Sequence, residues 1–176
     1  MAIRPIVKYP VASLKETAKP VTDFGPELEA LVADMAETMY AAPGVGLAAP
    51  QIGVPLMLCV IDVSPKEQPK NLIVLANPEI IKSEGAQVDE EGCLSVREYF
   101  ADVKRFERVW VKAQDLQGQP MEFMAEGFYA RVIQHELDHL HGTLFIDHLS
   151  SLKRSLYKKK LKKLLQEEEQ QAQEKD

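Results

Sequence analysis

Two histidines four residues apart, with a glutamate after the first, make His135-Glu136-Leu137-Asp138-His139 the stretch of this chain best suited to chemistry. On a helix, residues four apart share a face, so both imidazoles can reach one cation while Glu136 stands beside it. A divalent ion there would activate water and the carboxylate would carry a proton, which is metal-assisted hydrolysis. Two surface histidines on an amphipathic helix would leave the same pattern, so a third ligand decides. The extended metalloprotease form H-E-x-x-H-x-x-G-x-x-H begins correctly through Gly142 but ends on Phe145, and the first glutamate downstream is Glu167, in a basic tail. Upstream, Glu91-Gly92-Cys93-Leu94-Ser95 offers a thiolate in a turn-like segment. Cys93, His135 and His139 would leave one position open for water or substrate. Cys59, inside Leu56-Met57-Leu58-Cys59-Val60-Ile61, reads as part of a buried strand.

A second segment, Gly44-Val45-Gly46-Leu47-Ala48-Ala49, formally fits the dinucleotide fingerprint G-x-G-x-x-A. That fingerprint needs a strand before it and a helix after it, and here the order is reversed. The segment reads instead as a loop whose backbone can lie against a ligand. Gln51 follows, with a side-chain amide able to donate to a developing oxyanion.

The elements that position these groups follow from periodicity. A helix is predicted over 26–41, with Asp23 near its start, Leu28, Leu31, Val32, Met35 and Met39 at helical spacing, and Gly44 as its end. Strand-like runs follow at 56–63, 72–76, 80–83, 106–113 and 122–125, the pattern of an antiparallel sheet. A second helix over 126–141 carries the metal motif and a stripe of Phe128, Val132, Ile133, Leu137 and Leu140, with Gly142 as its stop. A third, over 150–170, pairs Leu152, Leu156, Leu161, Leu164 and Leu165 with Lys153, Arg154, Lys158, Lys159, Lys160, Lys162 and Lys163. Helix, many strands, then two helices is not a strict α/β alternation, so the expected class is α+β. Residues 1–150 would form the catalytic domain and 151–176 a basic helix with an acidic tail.

At 176 residues one domain is expected. With 21 basic against 27 acidic residues, the net charge of −6 excludes a chain built globally to coat nucleic acid. The N-terminus has no apolar stretch of secretory type, and the most apolar region, 41–63, is broken by Pro50, Gln51, Gly53 and Pro55. A cytoplasmic protein without a membrane span is expected, and two cysteines are too few for a disulfide framework.

Together, Gly44-Val45-Gly46-Leu47-Ala48-Ala49-Pro50-Gln51, Glu91-Gly92-Cys93-Leu94-Ser95 and Gln134-His135-Glu136-Leu137-Asp138-His139-Leu140 resemble the three signature motifs of the peptide deformylases, in the same order. The resemblance runs from about residue 5 to 150. It implies antiparallel sheets around a central metal helix and an enzyme that removes the N-formyl group from the initiator methionine of nascent polypeptides. It further implies one divalent ion on Cys93, His135 and His139, commonly Fe²⁺ and replaceable by Zn²⁺, Ni²⁺ or Co²⁺. Acid–base work falls to Glu136 and oxyanion contacts to Gln51 and the Leu94 N–H. The resemblance places Val45, Phe128 and Val132 around the methionine side chain and lays the peptide along 45–48, over Gly46. Arg105 matches a partner for Glu91 that would fix the Cys93 loop from behind. The C-terminal helix resembles a ribosome anchor, and the enzyme would be a monomer. One departure stands out, because Arg97 occupies a position where the family often has proline. The competing readings are an endopeptidase with the same metal helix and a noncatalytic metal-binding or ribosome-associated protein.

Overall fold

Three segments with apolar residues at helical spacing form α1 (Pro26–Ala41), α2 (Gly127–Leu140) and α3 (Ser151–Gln173) in a computed structural model that describes residues 2–175. In α1, Leu28, Val32, Met35 and Met39 are buried, and Pro26 sits in the first turn, where a missing N–H costs no helical bond. No side chain caps this helix; Gly25 holds the cap position and Asp23 stands outside it. Helix α2 stops at Gly142, whose φ of 72° is left-handed and whose missing Cβ leaves room for the Lys15 carbonyl.

Seven strands follow in chain order: β1 (Gly46–Ala48), β2 (Leu58–Ile61), β3 (Ile73–Glu84), β4 (Gln87–Cys93), β5 (Val96–Arg105), β6 (Arg108–Gln114) and β7 (Pro120–Glu126). Five make one antiparallel sheet in the order β1-β2-β3-β6-β7, and β4 pairs only with β5 in a separate hairpin. The α+β class is therefore the observed one. The runs at 72–76 and 80–83 are a single strand, β3, whose register against β6 shifts between Ala76 and Glu79 and again between Ile80 and Lys82. Strands β1, β4 and β5 escape periodicity. In β4 the buried residue is Glu91, a carboxylate, so no apolar alternation marks the strand. The turn expected across 91–95 shrinks to Leu94 and Ser95 between the two strands.

One apolar cluster joins α2 to the five-stranded sheet through Ile133, Leu137 and Leu140 against Cys59, Leu75, Val109 and Val111. Cys59 is thus a core residue of β2. A second cluster packs α1 on Leu47, Leu58 and Val60. A third gathers Val96, Val103, Phe145, Ile146, Tyr157 and Leu161, tying α3 to the hairpin. Helix α3 docks by Tyr157 and Leu161, while Leu152 and Leu156, expected in the docked stripe, are 70% and 57% exposed. The N-terminal segment crosses the site elements, with Val7 N donating to Gln51 O at 2.7 Å and Tyr9 N to Ser95 O at 2.8 Å. No helix among the described residues is long and apolar enough to cross a membrane.

Candidate metal centre and active cleft

The i, i+4 spacing on α2 brings His135 and His139 onto one face, with ring centroids 5.0 Å apart. The hairpin delivers Cys93 at the end of β4. Cys93 Sγ lies 3.3 Å from His139 Nε2, and one donor atom from each of the three residues falls within 4.8 Å of the others. A thiolate with two imidazoles suits Zn²⁺, Fe²⁺, Co²⁺ or Ni²⁺, so the residues present fit the implied cation. Ser95 N donates to Cys93 Sγ at 3.4 Å, and Lys8 Nζ donates to the Leu94 carbonyl, holding the turn in place.

Behind the rings stands a buried polar network. His135 Nδ1 lies 2.9 Å from Glu91 Oε1, which leaves Nε2 to face a ligand. Arg105 donates to Glu91 through Nε at 2.8 Å and Nη2 at 2.9 Å, and reaches Asp138 Oδ2 at 2.7 Å. Arg131 Nη1 donates to the same Glu91 oxygen, Oε2, as Arg105 Nε. Burial works against ionised Glu91, but hydrogen bonds from Arg105 and His135 outweigh it and hold the carboxyl well below the usual carboxylate range. Burial pushes His139 well below its ordinary pKa. Burial also opposes a charged His135, yet hydrogen bonds with Cys93 and Glu91 carry it well above the ordinary value.

Glu136 is buried, and Oε2 has no hydrogen-bond partner among the described residues. Burial pushes its carboxyl up to about 7, into the range where a group both takes and gives a proton near neutral pH. Gly46 makes room for it: a Cβ on that residue would lie 2.5 Å from Glu136 Oε1. Gln51 is fixed by the Ala48 N–H, which donates to Oε1 at 2.9 Å. Its Nε2 donates to Ser95 Oγ at 3.1 Å and lies 3.7 Å from Cys93 Sγ.

A cleft of about 370 Å³ opens onto these groups, lined by Val45, Gly46, Gln51, Leu94, Phe128 and Val132 together with Cys93, His135 and Glu136. Val45 and Phe128 are 42% and 57% exposed at its rim, whereas Val132 is buried. Every site residue singled out in the sequence thus gathers around one cleft, with His139 beneath it and Arg105 behind it. A larger trough of about 1080 Å³ is walled by Met57, Ile80, Phe106, Gln134 and Leu137 and reaches the network at Arg105, Asp138 and His148. Sequence reasoning missed Arg131, Asp138, Ser95 and Lys8. Of these, Arg131 carried a signal, because it stands four residues before His135.

An H-E-x-x-H helix whose two histidines converge with a hairpin cysteine beside a narrow cleft has the donor set of a metal-dependent hydrolase. Residues 3–155 match the family model for polypeptide deformylase. Curated peptide deformylases of Desulfotalea psychrophila and Acidobacterium capsulatum are each 54% identical over 93% of this chain, covering 97% and 96% of their own lengths. The crystal structure of a peptide deformylase from Legionella pneumophila superposes with a TM-score of 0.88 at 48% identity, over 95% of this chain and 98% of that one. The chain belongs to the polypeptide deformylase family.

Proposed function

We propose a division of labour among these residues for the family's reaction. The chain is a deformylase: it hydrolyses the N-formyl amide at the N-terminal methionine of newly synthesised polypeptides, leaving formate and a free amine. Cys93, His135 and His139 hold the cation, which we take to be Fe²⁺, with Zn²⁺, Ni²⁺ or Co²⁺ able to replace it. When bound, such an ion supplies Lewis acidity, lowering the pKa of water from about 15.7 toward about 7. Glu136 accepts the proton of the attacking water at its unpartnered oxygen and later delivers it to the departing amine nitrogen. Gln51 Nε2, held by Ser95 Oγ and Cys93 Sγ at the edge of the site, donates an N–H to the formyl oxygen when substrate displaces the long contact to sulfur. With the Leu94 N–H it stabilises the negative charge that develops there. Val45, Phe128 and Val132 receive the methionine side chain, and the peptide lies extended along β1 over Gly46, where backbone hydrogen bonds are indifferent to sequence.

The observation that carries this reading is a buried, unpaired carboxyl beside three converging metal donors. Formate release from formyl-Met-Ala, with metal content measured on the same sample, tests it. Glu136→Ala is expected to keep its metal and lose roughly 10²- to 10⁴-fold in turnover. Retained activity removes the role, and cleavage of unformylated peptides at internal bonds would favour the endopeptidase.

We further propose a cytoplasmic monomer whose catalytic unit is 1–150 and whose α3 holds it to the ribosome. Tyr157 and Leu161 are the buried residues of 153–163; Lys160 donates to the Glu98 carbonyl and Arg154 is half-buried, while Lys153, Lys158, Lys159, Lys162 and Lys163 are exposed and available to rRNA phosphates. Removing 152–176 is expected to weaken ribosome binding in a salt-dependent way and to spare formyl-peptide hydrolysis. Unchanged ribosome affinity sinks the anchor.

A further inference from the structure

Arg131 stands one helical turn before His135, so Arg131, His135 and His139 occupy one face of α2. It is 3% exposed and contributes to the floor of the cleft. Its Nη1 donates to Glu91 Oε2 at 2.5 Å and to the Val103 carbonyl at 2.8 Å, and its Nε reaches Gln87 Oε1 at 3.3 Å. One guanidinium therefore grips both strands of the hairpin, Gln87 and Glu91 on β4 and Val103 on β5.

Glu91 needs no second arginine to stay ionised, because Arg105 already holds it with two parallel bonds. Within this cluster two guanidiniums, Arg105 and Arg131, face two carboxylates, Glu91 and Asp138. What Arg131 adds is position. The hairpin shares no backbone ladder with the five-stranded sheet, so β-pairing does not set its distance from α2. Gln134 and Gln87 fasten the open end of the hairpin through Phe106 and Gly127. Arg131 fastens it at Glu91, two residues from Cys93.

We propose that Arg131 is a positioning residue that fixes the separation between the Cys93 hairpin and the His135–His139 face, and so sets how tightly the cation is held. The proposal rests on the metal-centre reading. A planar fork shared among Gln87, Glu91 and Val103 does this where a point charge cannot. Apo protein reloaded with Co²⁺ provides the test, read by chelator competition and by thiolate-to-Co²⁺ charge-transfer absorption. Arg131→Met is expected to lose about 10- to 100-fold in Co²⁺ affinity, with a weakened or shifted charge-transfer band, and Arg131→Lys to recover only part of this. Co²⁺ affinity within about twofold of wild type and an unaltered band, with only the melting temperature lowered, would mean a packing role alone and overturn the proposal. Should Arg131→Met fail to fold, Arg131→Lys decides, wild-type affinity counting against the proposal and a several-fold loss for it. Wild-type protein lacking the charge-transfer band would bring down the metal-centre reading and the proposal together, whereas a normal wild type with a normal Arg131→Met removes the proposal alone.

Discussion

Helix α2 is attached to the rest of the molecule in two different ways. Toward the five-stranded sheet it presents Ile133, Leu137 and Leu140, which pack on Cys59, Val109 and Val111. Toward the hairpin it presents Arg131, Gln134, His135 and Asp138, which meet Gln87, Glu91, Arg105 and the Phe106 backbone through hydrogen bonds and ion pairs. Apolar burial is non-directional and scales with area, so the first seam holds the helix down without dictating angles. Buried ion pairs are directional, and at low dielectric they punish a misplaced partner. The fold is therefore secured on one side of α2, and the disposition of the donor atoms is set on the other.

The sharpest way to break this comparison is Gly46→Ala, which leaves the apolar and ion-pair contacts named above in place but drives a methyl group from β1 against Oε1, Cδ and Cγ of Glu136 on α2. Displacing the carboxyl by a fraction of an ångström to an ångström is expected to lower kcat/KM by about 10²-fold, with an overpacking cost of about 1–3 kcal/mol in unfolding free energy. Wild-type formate release would mean that the carboxyl has slack.

A second test asks whether any buried charge network acts on catalysis. Asp62, 6% exposed, accepts from Tyr40 Oη at 2.6 Å, Ser64 N at 2.9 Å, Ser64 Oγ at 2.5 Å and Asn71 N at 3.0 Å. Burial raises its pKa, but the bonds from Ser64, Tyr40 and Asn71 prevail and hold it at about 2, below the ordinary 3.8. A depressed carboxylate contributes stability that is fully present above pH 3.8 and is lost as pH falls through about 2. The contribution is about 2 kcal/mol, and Asp62→Asn is expected to flatten that part of the pH dependence in denaturant unfolding. Its kcat/KM at neutral pH should match wild type; a matching loss of activity would blur the distinction between the two seams.

The smallest effect expected is on the apolar seam. Ile133→Val removes one buried methylene and should cost about 0.5–1.5 kcal/mol in unfolding free energy. Activity per folded molecule should stay constant, and a fall in kcat without a fall in stability would show that the apolar side also sets donor geometry.

Much of the site was legible because its spacing is local. His135, Glu136 and His139 lie within one helical turn or so, and any helix built from 127–140 places both rings on one face. Helix α1, the strand around Cys59 and the stop at Gly142 were likewise written in nearest-neighbour periodicity and turn chemistry. Cys93 could be named as a ligand only by weighing candidates, because a thiol more than forty residues from His135 leaves no periodic trace of where it will lie. Strands β4 and β5 were hidden because the residue that β4 turns inward is the charged Glu91, whose burial makes sense only once Arg105 and Arg131 are beside it. Tertiary structure alone decided that Gly46 gives way to Glu136, that Tyr157 rather than Leu152 or Leu156 docks α3, and that Arg131 points at the hairpin. The physical reason is that periodicity records which face of an element is buried, whereas a hydrogen bond between distant elements depends on distances and directions fixed only when they pack.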